Sequence, residues 1–179
     1  MGAIVFGRVE TFNLRPPDMN AMRRLLVAAL AAPLVATLVA GTSLAGAASP
    51  SLPYDESADA RVDLNRALQD AKAQNKQVLV VFGANWCPDC RELAQKMKGG
   101  PLASHVSARY VVTKVDVARF DKNTDLAQQM GNPIRKGIPA VAVLRADGTL
   151  VKATAGGELA DARRMGDEQV LKVLEGLAR

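Results

Sequence analysis

Both cysteines of the chain stand in one short motif, Trp86-Cys87-Pro88-Asp89-Cys90. Thiols three positions apart share a face of a helix and lie close enough to bond as a disulfide. The motif directly follows an apolar, β-branched run, residues 77–83 (QVLVVFG), so Cys87 falls where a helix would begin after a buried strand. Free N–H groups and the helix dipole at that point favour an anion. The thiolate is the reactive form of cysteine, and this placement lowers its pKa. Pro88 suits a first helical turn, where its missing N–H costs nothing. Cys90 would lie one turn in and more deeply buried, suited to resolve a mixed disulfide.

Other chemistries find less support. Two Cys and one His are a poor basis for a four-ligand structural zinc site, and His105 alone gives a Ser-His-Asp arrangement little to use. A disulfide across two residues constrains the unfolded chain too little to serve as a staple. A strand-turn-helix context around Cys-x-x-Cys points instead to redox exchange. The alternative is a two-thiolate site for Cu(I) or another soft ion, with Met97 and Met130 as further candidate ligands that also suit a core. His105 reads as a surface or packing residue.

The elements that must position the motif follow from hydrophobic periodicity. Residues 57–75 read as a helix with Ala60, Leu64, Ala67, Leu68 and Ala71 on one stripe. Residues 77–83 show no alternation, as in a strand buried on both faces. A second helix starts near Cys87 and stops at Gly99-Gly100. Residues 109–117 (RYVVTKVDV) form the next strand, and residues 123–130 a short helix capped by Asn123 and ended by Gly131. Residues 140–145 form a strand that turns through Ala146-Asp147-Gly148 into an antiparallel partner, 149–153. Asp167 caps a last helix with Val170, Leu171, Leu174 and Leu177 inward. Strands alternating with helices and then a hairpin imply an α/β fold, a mixed central sheet with helices on both faces and one extra helix in front.

The first fifty residues do not fit this pattern. No charged residue occurs between Arg24 and Asp55, and residues 25–40 (LLVAALAAPLVATLVA) are a dense apolar run behind Arg23-Arg24. Small residues follow, including Ala45-Gly46-Ala47. A positive start, an apolar middle and an Ala-x-Ala end make a secretory signal, with cleavage expected after Ala47. The alternative, an anchor left in an inner membrane, has a run of 16 residues where about twenty are needed to span. Met19 or Met22 would each give such a signal a more ordinary start. The expected organisation is 1–47 extension and signal, 48–56 linker with two prolines, and 57–179 a single domain.

The whole chain carries 23 basic and 18 acidic residues, a net +5, yet no basic block and no nucleic-acid motif. Removing residues 1–47 takes away four Arg, Glu10 and Asp18, leaving 19 basic and 16 acidic groups. Part of the basicity therefore belongs to the export signal, and nucleic acid is not an expected partner.

The stretch VVFGANWCPDC, followed about fifty residues later by Gly137-Ile138-Pro139, resembles the thioredoxin superfamily over roughly residues 64–177. The resemblance implies a thioredoxin fold, Cys87 as the attacking nucleophile and Cys90 as the resolving thiol. It implies a cis bond before Pro139, with the Ile138 backbone meeting a substrate strand; read without the Cys pair, Pro139 is an ordinary trans proline opening a strand. Trp86 matches the family's aromatic before the first Cys, a flat contact for substrates; its alternative is a core aromatic. It further implies a thiol–disulfide oxidoreductase that exchanges disulfides or thiols of protein substrates without a cofactor. Export would place it in a bacterial periplasm, with a membrane redox partner to recycle it. Three positions depart from the thioredoxin pattern. Val81 stands where thioredoxins carry a buried Asp, so Lys114, which matches that acid's Lys partner, loses its mate. Pro88-Asp89 replaces Gly-Pro, and the Asp89 charge should partly oppose a Cys87 thiolate. A pair less oxidising than the strongest oxidants of the superfamily is expected, with a Cys87 pKa not below about 5. Arg135 and Lys136, before the Gly-Ile-Pro loop, read as a solvated loop or as a preference for acidic partners. Gly156-Gly157 reads as a turn or as the border of the active-site groove.

Overall fold

The computed structural model describes residues 52–178. The expected signal segment and its cleavage point lie outside the described residues. Among the described residues, no helix is long and apolar enough to cross a membrane.

Helix α1 (Ala60–Gln74) opens with Asp59, whose carboxylate accepts from the Arg61 and Val62 N–H groups, and closes on Asn75 in the left-handed region. Strand β1 (Gln77–Gly83) leads to α2 (Pro88–Lys96), α3 (Gly100–Arg109) and β2 (Tyr110–Asp116). Helix α4 (Thr124–Gln129) and a 3-10 turn (Pro133–Lys136) precede the hairpin of β3 (Ala140–Leu144) and β4 (Leu150–Ala153), and α5 (Asp167–Leu177) ends the domain. The sheet order is β2-β1-β3-β4; β1 runs parallel to β2 and antiparallel to β3, which pairs antiparallel with β4. This is the expected mixed sheet.

The central strand β1 alternates between two cores, which explains its unbroken apolar run. Val78, Val80 and Phe82 join Ala67 and Ala71 of α1 and Leu126 of α4. Leu79 and Val81 join Leu93 of α2, Leu102 and Val106 of α3, and Val170, Leu174 and Leu177 of α5. Helices cover both faces, and the Cys pair sits where β1 hands over to α2.

Three local expectations are corrected. The second helix does not run to Gly99-Gly100: α2 ends at Lys96, and a separate helix, α3, begins at Gly100 with Pro101 in its first turn and carries His105. Its first-turn position suits a proline, and Leu102 and Val106 bury one face. Asn123 does not cap α4 through its side chain; it adopts the left-handed region, and its Nδ2 donates to the Asp116 carbonyl at 2.8 Å. Gly166, not Asp167, is the N-cap residue of α5, and Asp167 lies in its first turn. The expected linker delivers a core residue: Tyr54 is 2% exposed. Its backbone is held by Asn85, which accepts the Tyr54 N–H at 3.0 Å and donates to its carbonyl at 2.8 Å.

Candidate active site

Cys87 and Cys90 form a disulfide with Cα atoms 5.3 Å apart. Cys87 is the N-cap residue of α2 and Pro88 its first helical residue. The Cys90 N–H donates to Cys87 Sγ at 3.2 Å. An N-terminal N–H is thus already aimed at the sulfur that would carry the thiolate, and it favours the charged form. On the other side, the Ile138 carbonyl oxygen lies 3.6 Å from Cys87 Sγ. The Ile138–Pro139 bond is cis, and both residues are buried. The loop expected beside the disulfide is therefore beside it, with its backbone rather than a side chain facing the sulfur. Both sulfur residues are inside, Cys87 at 4% and Cys90 at 0% exposure.

Trp86 is 47% exposed, so it is a surface residue of the site and not a core aromatic. Its Nε1 donates to the Ala118 carbonyl at 2.7 Å, and Phe120 meets it edge-on with ring centres 6.3 Å apart. The Arg119 guanidinium stands 5.7 Å from the Trp86 ring centre, within cation–π range. The loop that supplies these contacts is unusual: Ala118 (φ 45°) and Phe120 (φ 66°) both occupy the left-handed region. Each such residue costs about 1–2 kcal/mol. Asp116, 5% exposed, anchors the loop by accepting the Ala118 N–H at 3.2 Å, and Lys122 Nζ stands 3.8 Å from its other oxygen.

Asp89 is 9% exposed and faces away from bulk solvent. One oxygen accepts both the Arg163 backbone N–H at 3.0 Å and its Nε–H at 3.1 Å. Burial pushes the Asp89 carboxyl up, but the Arg163 hydrogen bonds and charge outweigh it and hold the group below the usual carboxylate range. Val81 is buried in an apolar cluster. Lys114, opposite Val81 across the β1–β2 ladder, has no acid within 4 Å among the described residues. Burial and then Lys98 lower its pKa. His105 is half-buried on α3. Met130 is buried in the cluster that contains the Cys pair, whereas Met97 packs against the cluster on the other face. Gly157 (φ 82°) runs against the 3-10 turn, where an added Cβ would lie 3.3 Å from the Lys136 carbonyl oxygen. Periodicity and motif reading missed Tyr54, Asp116, Phe120 and Arg163. Only Asp116 had a sequence signal, as a charge ending an apolar strand.

Comparison with known proteins agrees with this geometry. A family model described as thioredoxin-like matches residues 59–146. The chain is 41% identical to the crystal structure of a disulphide isomerase from Xylella fastidiosa Temecula1, covering 73% of this chain and 100% of that one with a TM-score of 0.69. Thioredoxin-1 of Drosophila yakuba and of Drosophila melanogaster are each 36% identical over 53 residues, 30% of this chain. The chain spans about half the length, 48%, of these curated relatives. Fold, motif and similarity agree, and the chain belongs to the thioredoxin superfamily.

Proposed function

We propose that the protein is an exported thiol–disulfide oxidoreductase that works through the Cys87/Cys90 pair. The observation that carries the reading is the disulfide at the start of α2, with the Cys90 N–H on Cys87 Sγ and the Ile138 carbonyl beside it. In the dithiol form, the Cys87 thiolate attacks one sulfur of a substrate disulfide. That bond breaks, one substrate thiolate leaves, and a mixed disulfide forms. Cys90, once deprotonated, attacks Cys87 Sγ and releases the second substrate thiol, and the protein keeps the Cys87–Cys90 disulfide. Two electrons pass to the substrate, and the reverse sequence oxidises substrate thiols. No cofactor enters, because the sulfurs carry the electrons.

Trp86, Ile138 and Pro139 form the substrate contact: an exposed ring on one side, a carbonyl at a cis proline on the other. An extended substrate strand could pair with the Ile138 backbone. Pro88 starts the helix, and Asp89 and Lys114 are the charges that tune the pair. Similarity to a protein named a disulphide isomerase supports exchange between protein disulfides as the activity. Export to a periplasm-like space rests on the apolar run at 25–40 and the Ala45-Gly46-Ala47 site. In that space the dithiol must be regenerated by a membrane-linked electron donor.

The test is reduction of insulin disulfides with dithiothreitol as the terminal reductant. The protein is expected to accelerate insulin precipitation, and Cys87→Ser to abolish the acceleration. An inactive wild type that binds one equivalent of Cu(I) tightly when reduced would replace the proposal with a copper carrier.

A further inference from the structure

Asp89 is an anomaly for a site that needs a thiolate. It is the second residue of α2, two positions from Cys87, and its carboxylate competes for the same positive helix end. It is also largely buried, where an unpaired carboxylate is costly. The fold answers with a residue 74 positions away in the chain: Arg163, whose backbone N–H and Nε–H both donate to one Asp89 oxygen. Arg163 is held there by its neighbours in the segment between β4 and α5. Leu159 and Ala162 are both 0% exposed in the cluster that also receives Leu93 of α2. Further back, the same segment runs Gly157 against the Lys136 carbonyl, just before Gly137-Ile138-Pro139. One segment therefore reaches both Asp89, between the two cysteines in sequence, and the turn that leads into Gly137-Ile138-Pro139.

We propose that Arg163 is a positioning residue that sets the redox poise of the Cys87/Cys90 pair by offsetting the Asp89 charge. The inference rests on the oxidoreductase reading and adds a residue to it. With Arg163 in place, the Asp89 charge is partly cancelled, and a Cys87 thiolate at the helix start meets less repulsion. Without the guanidinium, the carboxylate keeps the backbone N–H but loses its counter-charge. The Cys87 thiol then ionises at higher pH, the dithiol form is destabilised, and the disulfide is favoured. The equilibrium that reads this is protein disulfide plus two glutathione thiols giving protein dithiol plus glutathione disulfide, balanced in electrons and protons.

The variant is Arg163→Gln, which leaves the backbone N–H in place; Arg163→Lys keeps the charge and loses the Nε donor. Two readouts are taken on the whole protein: ultraviolet absorbance of the Cys87 thiolate against pH, and the glutathione equilibrium. Arg163→Gln should move the equilibrium toward protein disulfide by about threefold or more, the scale of one solvent-screened charge interaction near a protein surface. It should raise the thiol titration in step. Arg163→Lys should recover part of both shifts. In an Asp89→Asn background, Arg163→Gln should produce less than half the shift, because the residue it acts through is gone. Loss of stability alone would not move the thiolate titration of the folded protein. Equal shifts with and without Asp89, or no shift from Arg163→Gln, overturn the inference. A wild type that does not equilibrate with glutathione overturns the oxidoreductase reading instead.

Discussion

Tyr54 places a hydroxyl inside the apolar cluster that holds the Cys pair, and among the described residues that oxygen has no hydrogen-bond partner. Burial, and then the Asp116 charge, push its phenol well above the ordinary tyrosine range. A buried hydroxyl without a partner costs about 1–3 kcal/mol. Tyr54→Phe is therefore expected to keep or raise stability by up to about 1–2 kcal/mol, since the ring still fills its place. Tyr54→Ala should lose about 3–5 kcal/mol. The pH dependence has a definite sign. An unfolded Tyr54 ionises near pH 10 while the folded one stays neutral, so its contribution is whole below about pH 10 and is lost as pH rises further. Tyr110, also shifted up by burial, remains in the variant, so the informative quantity is the difference between wild type and Tyr54→Phe. Urea midpoints at neutral and alkaline pH measure it; equal alkaline losses in both proteins would defeat the assignment to Tyr54. Nothing local in the sequence marks this residue. It stands beside Pro53 in a stretch that reads as linker, and its burial depends on Asn85, 31 positions on. Trp86 and the two cysteines were legible because one motif carries them all. Arg163 was not, because only the folded chain sets it against Asp89.

The loop between β2 and α4 is the element with the most unusual backbone near the site. Ala118 and Phe120 hold left-handed angles, and the loop is pinned by the Trp86 Nε1–Ala118 bond, the Asp116–Ala118 bond and a Phe120 N–H to Val117 carbonyl bond of 2.7 Å. Glycine adopts such angles freely but loses more backbone entropy on folding. Ala118→Gly relieves about 1–2 kcal/mol of strain against a cost of about 0.5–1 kcal/mol, a net gain of about 0–1.5 kcal/mol. Chemical denaturation reads this directly, and a loss of 1 kcal/mol or more would show that the Ala118 methyl contributes contacts that outweigh the strain. Regular elements were easier to read than this loop. The unbroken apolar run of β1 matches a strand with a core on each face, and the stripes of α1 and α5 match helices. Helix α3 escaped because Gly99-Gly100 looks like a stop, and Pro101 then acts as a start only in combination with Leu102 and Val106 on one face. The loop had no pattern to read: two non-glycine left-handed residues are set by the tertiary bonds around them.

At the scale of the whole molecule, net charge says little and its placement says more. Several of the basic residues belong to the expected signal segment, and others pair locally, as in Arg66 with Asp63 and Lys96 with Glu92. Around the disulfide the balance differs. Arg135 and Lys136 are exposed on the 3-10 turn just before Ile138, and Arg119 stands over Trp86; none of the three has an acid within 4 Å among the described residues. The fold thus places cations on two sides of an exposed aromatic pair and a reactive sulfur. A field of one sign at the mouth of a site speeds the approach of opposite charges, and salt screens it over about 8–10 Å at physiological strength. Peptide disulfides flanked by Asp or Glu are therefore expected to be reduced several-fold faster at low salt than the same peptides flanked by Lys or Arg. The advantage should shrink as salt is added. Replacing Arg119, Arg135 and Lys136 together with Gln should remove most of it without abolishing reduction of a neutral peptide, since none of the three touches the sulfurs. Stopped-flow kinetics on the three peptides across a salt series decide the matter. Equal low-salt rates for acidic and basic peptides would mean that these cations are only a solvated rim.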